Sequence, residues 1–142
     1  MPAPVTDTAK LSHQLIELYE RLSSWEQDVV KNSGLSTHQM HTIEIVGHSG
    51  SLRMKDLAQK MGVTTGTLTV MVDRLEQQDI LHRQAHETDR RSYLIVLTAK
   101  GEKLFEEHHQ HHLSLTKELT AILSSEEQKQ FGTILEKIID QI

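Results

Sequence analysis

From Val5 to Ile142 the chain contains no proline; its two prolines stand at positions 2 and 4 of 142 residues. Proline is the residue a helix interior tolerates least, because it lacks the N–H and its ring clashes with the preceding turn. Helices are therefore free to run along nearly the whole chain. Aromatic residues make up only 4%, so the core must be built from Leu, Ile, Val, Met and Ala. With 37% hydrophobic and 25% charged residues, the balance is that of a folded domain and not of a disordered chain.

Apolar spacing divides this length into elements. Leu11, Leu15, Ile16, Leu18, Tyr19, Leu22 and Trp25 recur at steps of three and four, the stripe of an amphipathic helix from Thr8 to about Val30. Lys31-Asn32-Ser33-Gly34 reads as its end. Ser36 followed by Gln39 has the spacing of a capping box, and Met40, Ile43, Ile45 and Val46 support a second helix expected to stop before His48-Ser49-Gly50. Met54, Leu57, Ala58 and Met61 give a short third helix closed by Gly62. Thr64 is an N-cap for a fourth, with Leu68, Met71, Val72 and Leu75 as its inward stripe.

After Gln77-Gln78-Asp79 the texture changes. Ile80 to Ala85 and Ser92 to Leu97 read as two strands around the polar loop His86 to Arg91, a β-hairpin. Thr98-Ala99-Lys100-Gly101 opens a long helix carrying Leu104, Phe105, Leu113, Leu115, Leu119 and Ile122. Ser124 and Glu127 form a second capping-box pattern, ahead of a last helix on Phe131, Ile134, Leu135, Ile138 and Ile139. Three short helices followed by a hairpin make a winged helix-turn-helix. The expected fold is thus mainly α with a β-hairpin wing. Residues 35–98 form the DNA-binding domain, and residues 1–34 and 99–142 form helical arms.

The overall charge of −5 is not that of a nucleic-acid binder, but its distribution is uneven. Residues 36–101 hold eight basic against seven acidic side chains, a net +1, while the two flanks together carry −6. If a polyanion binds, it binds the middle. Absence of cysteine removes disulfides, thiolate nucleophiles and thiolate metal sites. No apolar run approaches the roughly 20 residues that span a bilayer, and residues 1–10 lack the pattern of a signal peptide; a cytoplasmic location is expected.

With the apolar stripe of the fourth helix turned inward, a rotation of 100° per residue brings Gly66, Thr67, Thr69, Val70, Asp73 and Arg74 to the other side, extended by Thr64 and Thr65 near the start. This face is small and hydroxyl-rich. It suits close approach to a groove, where Thr hydroxyls can bond base edges or phosphates and methyl groups can meet the thymine methyl. Thr and Gly could also simply start a helix; the hairpin that follows favours the DNA reading. Its loop sets Arg90 and Arg91 at the tip of a ribbon, where a guanidinium can enter a narrow minor groove, with Asp89 placed to hold one of them.

The run Leu35-Ser36-Thr37-His38-Gln39, the run Met54-Lys55-Asp56-Leu57-Ala58-Gln59-Lys60-Met61-Gly62-Val63-Thr64, then Val72-Asp73-Arg74-Leu75-Glu76, Asp89-Arg90-Arg91 and Leu97-Thr98-Ala99-Lys100-Gly101 together resemble the MarR family of winged-helix repressors along essentially the whole chain. The resemblance implies an obligate homodimer in which the first and last helices pack on their symmetry mates. Two winged domains would then address an inverted-repeat operator in double-stranded DNA.

Ten histidines in 142 residues are the remaining feature. His108 and His112 stand four apart, as do Glu107 and His111; on a helix such pairs share a face, close enough for two imidazoles to bind one ion. The competing reading is a solvated polar face. Within the family, the pattern resembles the zinc-responsive repressors of zinc-uptake genes. The resemblance implies a tetrahedral site of Glu26, His41, His108 and His112, with the loop after the first helix about three residues shorter and Asp28 as substitute for Glu26. Zn(II) would act as corepressor, tying the first and fifth helices to the second and fixing the recognition helices one DNA turn apart, about 34–36 Å. Mn(II), Ni(II) and Fe(II) compete on ligand type. The chain departs from that branch in lacking Cys and in placing Met40 where an acidic residue would serve a second site; such a site would draw on His38, Glu107 and His111.

Three other functions compete with this one. Many MarR proteins are released from DNA by a phenolic or lipophilic effector, and His108 and His112 would then be solvated. A His/Glu metallohydrolase would use His41, His108 and His112, but no HExxH motif, phosphate cradle or set nucleophile is present. A plain dimeric scaffold leaves Arg90 and Arg91 without a task. No enzymatic activity is expected.

Overall fold

A computed structural model describes residues 7–89 and 91–142. It contains α1 (Thr8–Lys31), α2 (Thr37–Ser49), β1 (Leu52–Arg53), α3 (Met54–Met61), α4 (Thr65–Gln77), β2 (Leu81–Ala85), β3 (Tyr93–Leu97), α5 (Ala99–Thr120) and α6 (Ser125–Ile139). They fall into two compact units, one ending at Phe105 and one comprising Glu106–Ile142.

Local chemistry sets the boundaries in the first unit. Asp7 caps α1 by accepting the Lys10 N–H, and Ser36 and Gln39 close a reciprocal capping box on α2. The second helix runs through Ser49, past the expected stop, and ends where Gly50 takes φ 79°. A positive φ is open to Gly at no steric cost. Gly62 closes α3 in the left-handed helical region, at φ 67° and ψ 31°.

The sheet has the order β1-β3-β2 and is antiparallel throughout. Leu52 and Arg53 lie opposite Ile95 and Leu94, and β2 pairs with β3 from Leu81↔Leu97 to Ala85↔Tyr93. Two-residue β1 was not expected from the sequence, because two residues carry no alternation. The core of this unit is aliphatic: Val30, Met40, Ile43, Val46, Leu57, Leu68, Val72, Leu75, Ile80, Leu81 and Ile95 are buried. Thr42 is buried among them, its hydroxyl donating to the His38 carbonyl at 2.9 Å and lying 2.9 Å from Met71 Sδ. Met71, expected on the inward stripe of α4, is half-buried, with its sulfur against this hydroxyl.

At the start of α5 an added Cβ on Gly101 would lie 2.0 Å from the Ile80 carbonyl oxygen. Only glycine lets the helix approach the wing so closely. Gly47 plays the same part for α2, where a Cβ would stand 2.3 Å from the Phe105 ring.

In the second unit, Ser124 and Glu127 form the expected capping box on α6. Phe131, Ile134, Leu135, Ile138 and Ile139 of α6 are exposed apolar residues, as are Leu11, Leu15, Ile16, Leu18, Tyr19 and Leu22 of α1 in the first unit. Such rows mark interaction surfaces more often than free surface. Among the described residues, no helix is long and apolar enough to cross a membrane.

Candidate nucleic-acid interface and histidine pair

Helix α4 is the candidate reading element. Leu68, Val72 and Leu75 anchor it in the core, and this fixes what the opposite side presents: Thr64, Thr65, Gly66, Thr67, Thr69, Val70, Asp73 and Arg74 are all exposed. Val70, 53% exposed, is an apolar group placed outward on an otherwise polar face. Thr64 caps the helix by accepting the Thr67 N–H at 3.2 Å, and its hydroxyl donates to Thr67 Oγ1 at 3.1 Å. Thr69 donates its hydroxyl to the Thr65 carbonyl at 2.8 Å, leaving its oxygen as an outward acceptor. Beside this face, a cleft of about 390 Å³ opens between α2 and α4, lined by Ser36, His38, Gln39, Thr67, Val70 and Arg74. His38 thus lines the same cleft as the outward α4 residues Thr67, Val70 and Arg74.

The wing is braced to α4 by a pairing that the sequence did not reveal. Arg83 on β2 donates from Nη2 to Asp73 at 2.6 Å and from Nη1 to Glu76 at 3.0 Å, while its backbone N–H donates to the other Glu76 oxygen at 3.0 Å. The hydrogen bond to Asp73, foremost, holds the guanidinium pKa above its ordinary value. Asp73 and Glu76 share one face of α4 at i, i+3, but Arg83 lies in the next element, so no helical spacing announces the clamp.

At the wing tip, Asp89 was expected to hold an arginine. It does so through the backbone: its carboxylate accepts the Arg91 N–H at 3.0 Å. That bond, with Ser92 and the nearby Arg53 and His86 adding to it, keeps the Asp89 carboxyl below the usual range. Arg91 is exposed; Arg90 lies outside the described residues.

A cationic ribbon tip beside a small, hydroxyl-rich helix face is the layout of a winged DNA reader. The MarR family model matches residues 35–93, from the start of α2 to the first residue of β3. Over those residues the chain resembles the MarR family of winged-helix transcriptional regulators. It is 27% identical over 129 residues to the HTH-type transcriptional regulator MhqR of Bacillus subtilis, covering 91% of this chain and 89% of that one. The fold matches that of Streptococcus pneumoniae FabT, solved in complex with DNA, at a TM-score of 0.86 and 23% identity over 94% of this chain and 96% of that one. NadR, solved in complex with 4-hydroxyphenylacetate, superposes at a TM-score of 0.77 with 25% identity, over 97% of each chain. The matched family and the relatives named here are transcriptional regulators, which speaks against the hydrolase reading.

Of the candidate metal-ligating histidines, the structure brings His108 and His112 together. They project from successive turns of α5 with ring centroids 4.5 Å apart. His108 is only 3% exposed and His112 half-buried. His111, whose ring centroid is 6.5 Å from that of His108, is exposed, as is Glu107. In the first unit Glu26 is half-buried on α1, while Asp28 and His41 are exposed. Two imidazoles on successive turns of one helix, with centroids this close, could supply two ligands to a single divalent ion.

Proposed function

We propose that the chain is a homodimeric repressor that binds an inverted-repeat operator through the exposed α4 face and the wing, with Zn(II) as corepressor and metal-uptake genes as targets. The observation that carries the metal half is the burial of His108 with the His112 ring beside it. His108 and His112 would hold the ion, and Glu26 and His41 are the further ligands that the family resemblance supplies. When bound, zinc supplies a fixed cross-link among the side chains that ligate it. A set of three imidazoles and a carboxylate suits Zn(II) without thiolate.

The chain's own residues account for the rest. Thr64, Thr65, Thr67, Thr69, Val70 and Arg74 meet the major groove, and Arg91 with Arg90 reaches the backbone or minor groove. The exposed apolar rows of α1 and α6 pair with those of a second copy, and two reading faces then act together where one is only weakly basic.

Stripping the protein of metal and titrating Zn(II) back in the presence of operator duplex tests the reading. Affinity should rise at least tenfold with zinc, and His108→Ala should abolish the rise. Equal affinity in chelator and in zinc would remove metal from the mechanism. The likeness to NadR, solved with 4-hydroxyphenylacetate, favours one alternative: release from DNA by a phenolic acid. Its mark would be zinc-independent binding that 4-hydroxyphenylacetate reverses.

A further inference from the structure

His86 directly follows β2 at the base of the wing loop, half-buried, and its ring is surrounded by hydrogen-bond donors. The backbone N–H groups of Thr88 and Asp89 point at Nδ1 at 3.3 and 3.2 Å, and the Thr88 hydroxyl lies 3.2 Å from the same atom. On the far side, Arg53 Nη2 lies 3.0 Å from Nε2. A neutral imidazole has one lone pair to offer, and an imidazolium has none. With the proton on Nε2, the ring accepts at Nδ1 and fixes the loop; with the proton on Nδ1, it serves Arg53 alone. The protonated ring can accept from neither side and sets a cation against the guanidinium.

What this ring holds matters for the interface. His86 Nδ1 fixes the Asp89 N–H, and the Asp89 carboxylate in turn accepts the Arg91 N–H at 3.0 Å. The His86 N–H also closes the hairpin by donating to the Ser92 carbonyl at 3.2 Å. A chain of contacts therefore runs from the ring to the backbone of the wing arginine. We propose that His86 is a positioning residue for DNA binding: its neutral ring is the acceptor on which the wing turn is built, and protonation releases that turn and weakens operator binding. The proposal rests on the wing touching DNA.

Two charged groups face the ring: Arg53, from β1, at Nε2, and the Asp89 carboxylate in the same loop.

The test measures operator affinity from pH 8 to pH 5.5, a span that brackets the ordinary imidazole value of about 6.5. His86→Asn keeps an acceptor near the Nδ1 position and cannot be protonated; His86→Ala has none. At pH 8, His86→Asn should bind like wild type and His86→Ala about tenfold more weakly, the equivalent of one or two net hydrogen bonds. On acidification wild type should lose more affinity than His86→Asn. In the free protein, the Thr88 and Asp89 amide NMR signals should shift with the His86 ring titration. Superimposable pH profiles for wild type and His86→Asn, or wild-type affinity in a folded His86→Ala, would overturn the proposal alone. Failure of wild type to bind any duplex at pH 8 would overturn the DNA-binding reading beneath it.

Discussion

Replacing Gly101 by Ala asks how tightly the start of α5 is locked to the wing. The new methyl would stand 2.0 Å from the Ile80 oxygen, 3.1 Å from its carbonyl carbon and 3.2 Å from Leu97 Cβ. Ordinary contact would require the helix or strand to move by more than an ångström. That oxygen also accepts from the Thr98 N–H and the Thr98 hydroxyl, both at 3.0 Å, so the movement breaks or stretches two hydrogen bonds. Overpacking costs roughly 1–3 kcal/mol, and each hydrogen bond contributes about 0.5–1.5 kcal/mol net. The better helix propensity of Ala returns at most about 1 kcal/mol. We expect a net loss of about 3 kcal/mol, a large part of the roughly 5–15 kcal/mol that holds a domain folded. With a urea slope of about 1–3 kcal/mol per molar, the midpoint should fall by about 1–3 M at matched protein concentration. A loss below about 0.5 kcal/mol, or a gain, would refute the close-approach argument.

Three further outcomes follow from the same structure. Arg83→Ala should cost about 1–2 kcal/mol, since its partners are half exposed and screened, and should weaken operator binding by leaving Asp73 and Glu76 unneutralised near the DNA face; urea midpoints and anisotropy titrations check both, and unchanged values would contradict the clamp. Thr64→Ala should cost about 1 kcal/mol as a lost N-cap, and circular dichroism melting checks it, with an unshifted melt counting against the cap. Glu127 accepts the Ser124 N–H at 3.0 Å, which lowers its pKa; its stabilising contribution is therefore present above the ordinary carboxylate range and fades as pH falls through the lowered value. Glu127→Ala should then destabilise at pH 7 and match wild type in strong acid, and an equal deficit at both pH values would contradict the capping role.

Helix caps and apolar stripes were legible because they are local. Ser36 with Gln39, Ser124 with Glu127, and Gly62 all act within one turn of their own helix. The inward stripe of α4 likewise implied its outward face, and the i, i+4 spacing implied the His108–His112 pairing. Contacts between elements were not legible. Arg83 meets α4 only once β2 folds back, β1 exists only through β3, and His86 matters only through the donors that the folded loop aims at it.

The most direct trial of the account is the difference in affinity between a selected operator and a scrambled duplex of equal length and charge, measured over a range of salt concentrations. Specific contact through α4 and the wing predicts that Thr67→Ala and Arg74→Ala reduce this difference, and that Arg91→Ala lowers the salt slope by about one unit. A protein that binds both duplexes alike, or whose α4 variants keep the full preference, would contradict it.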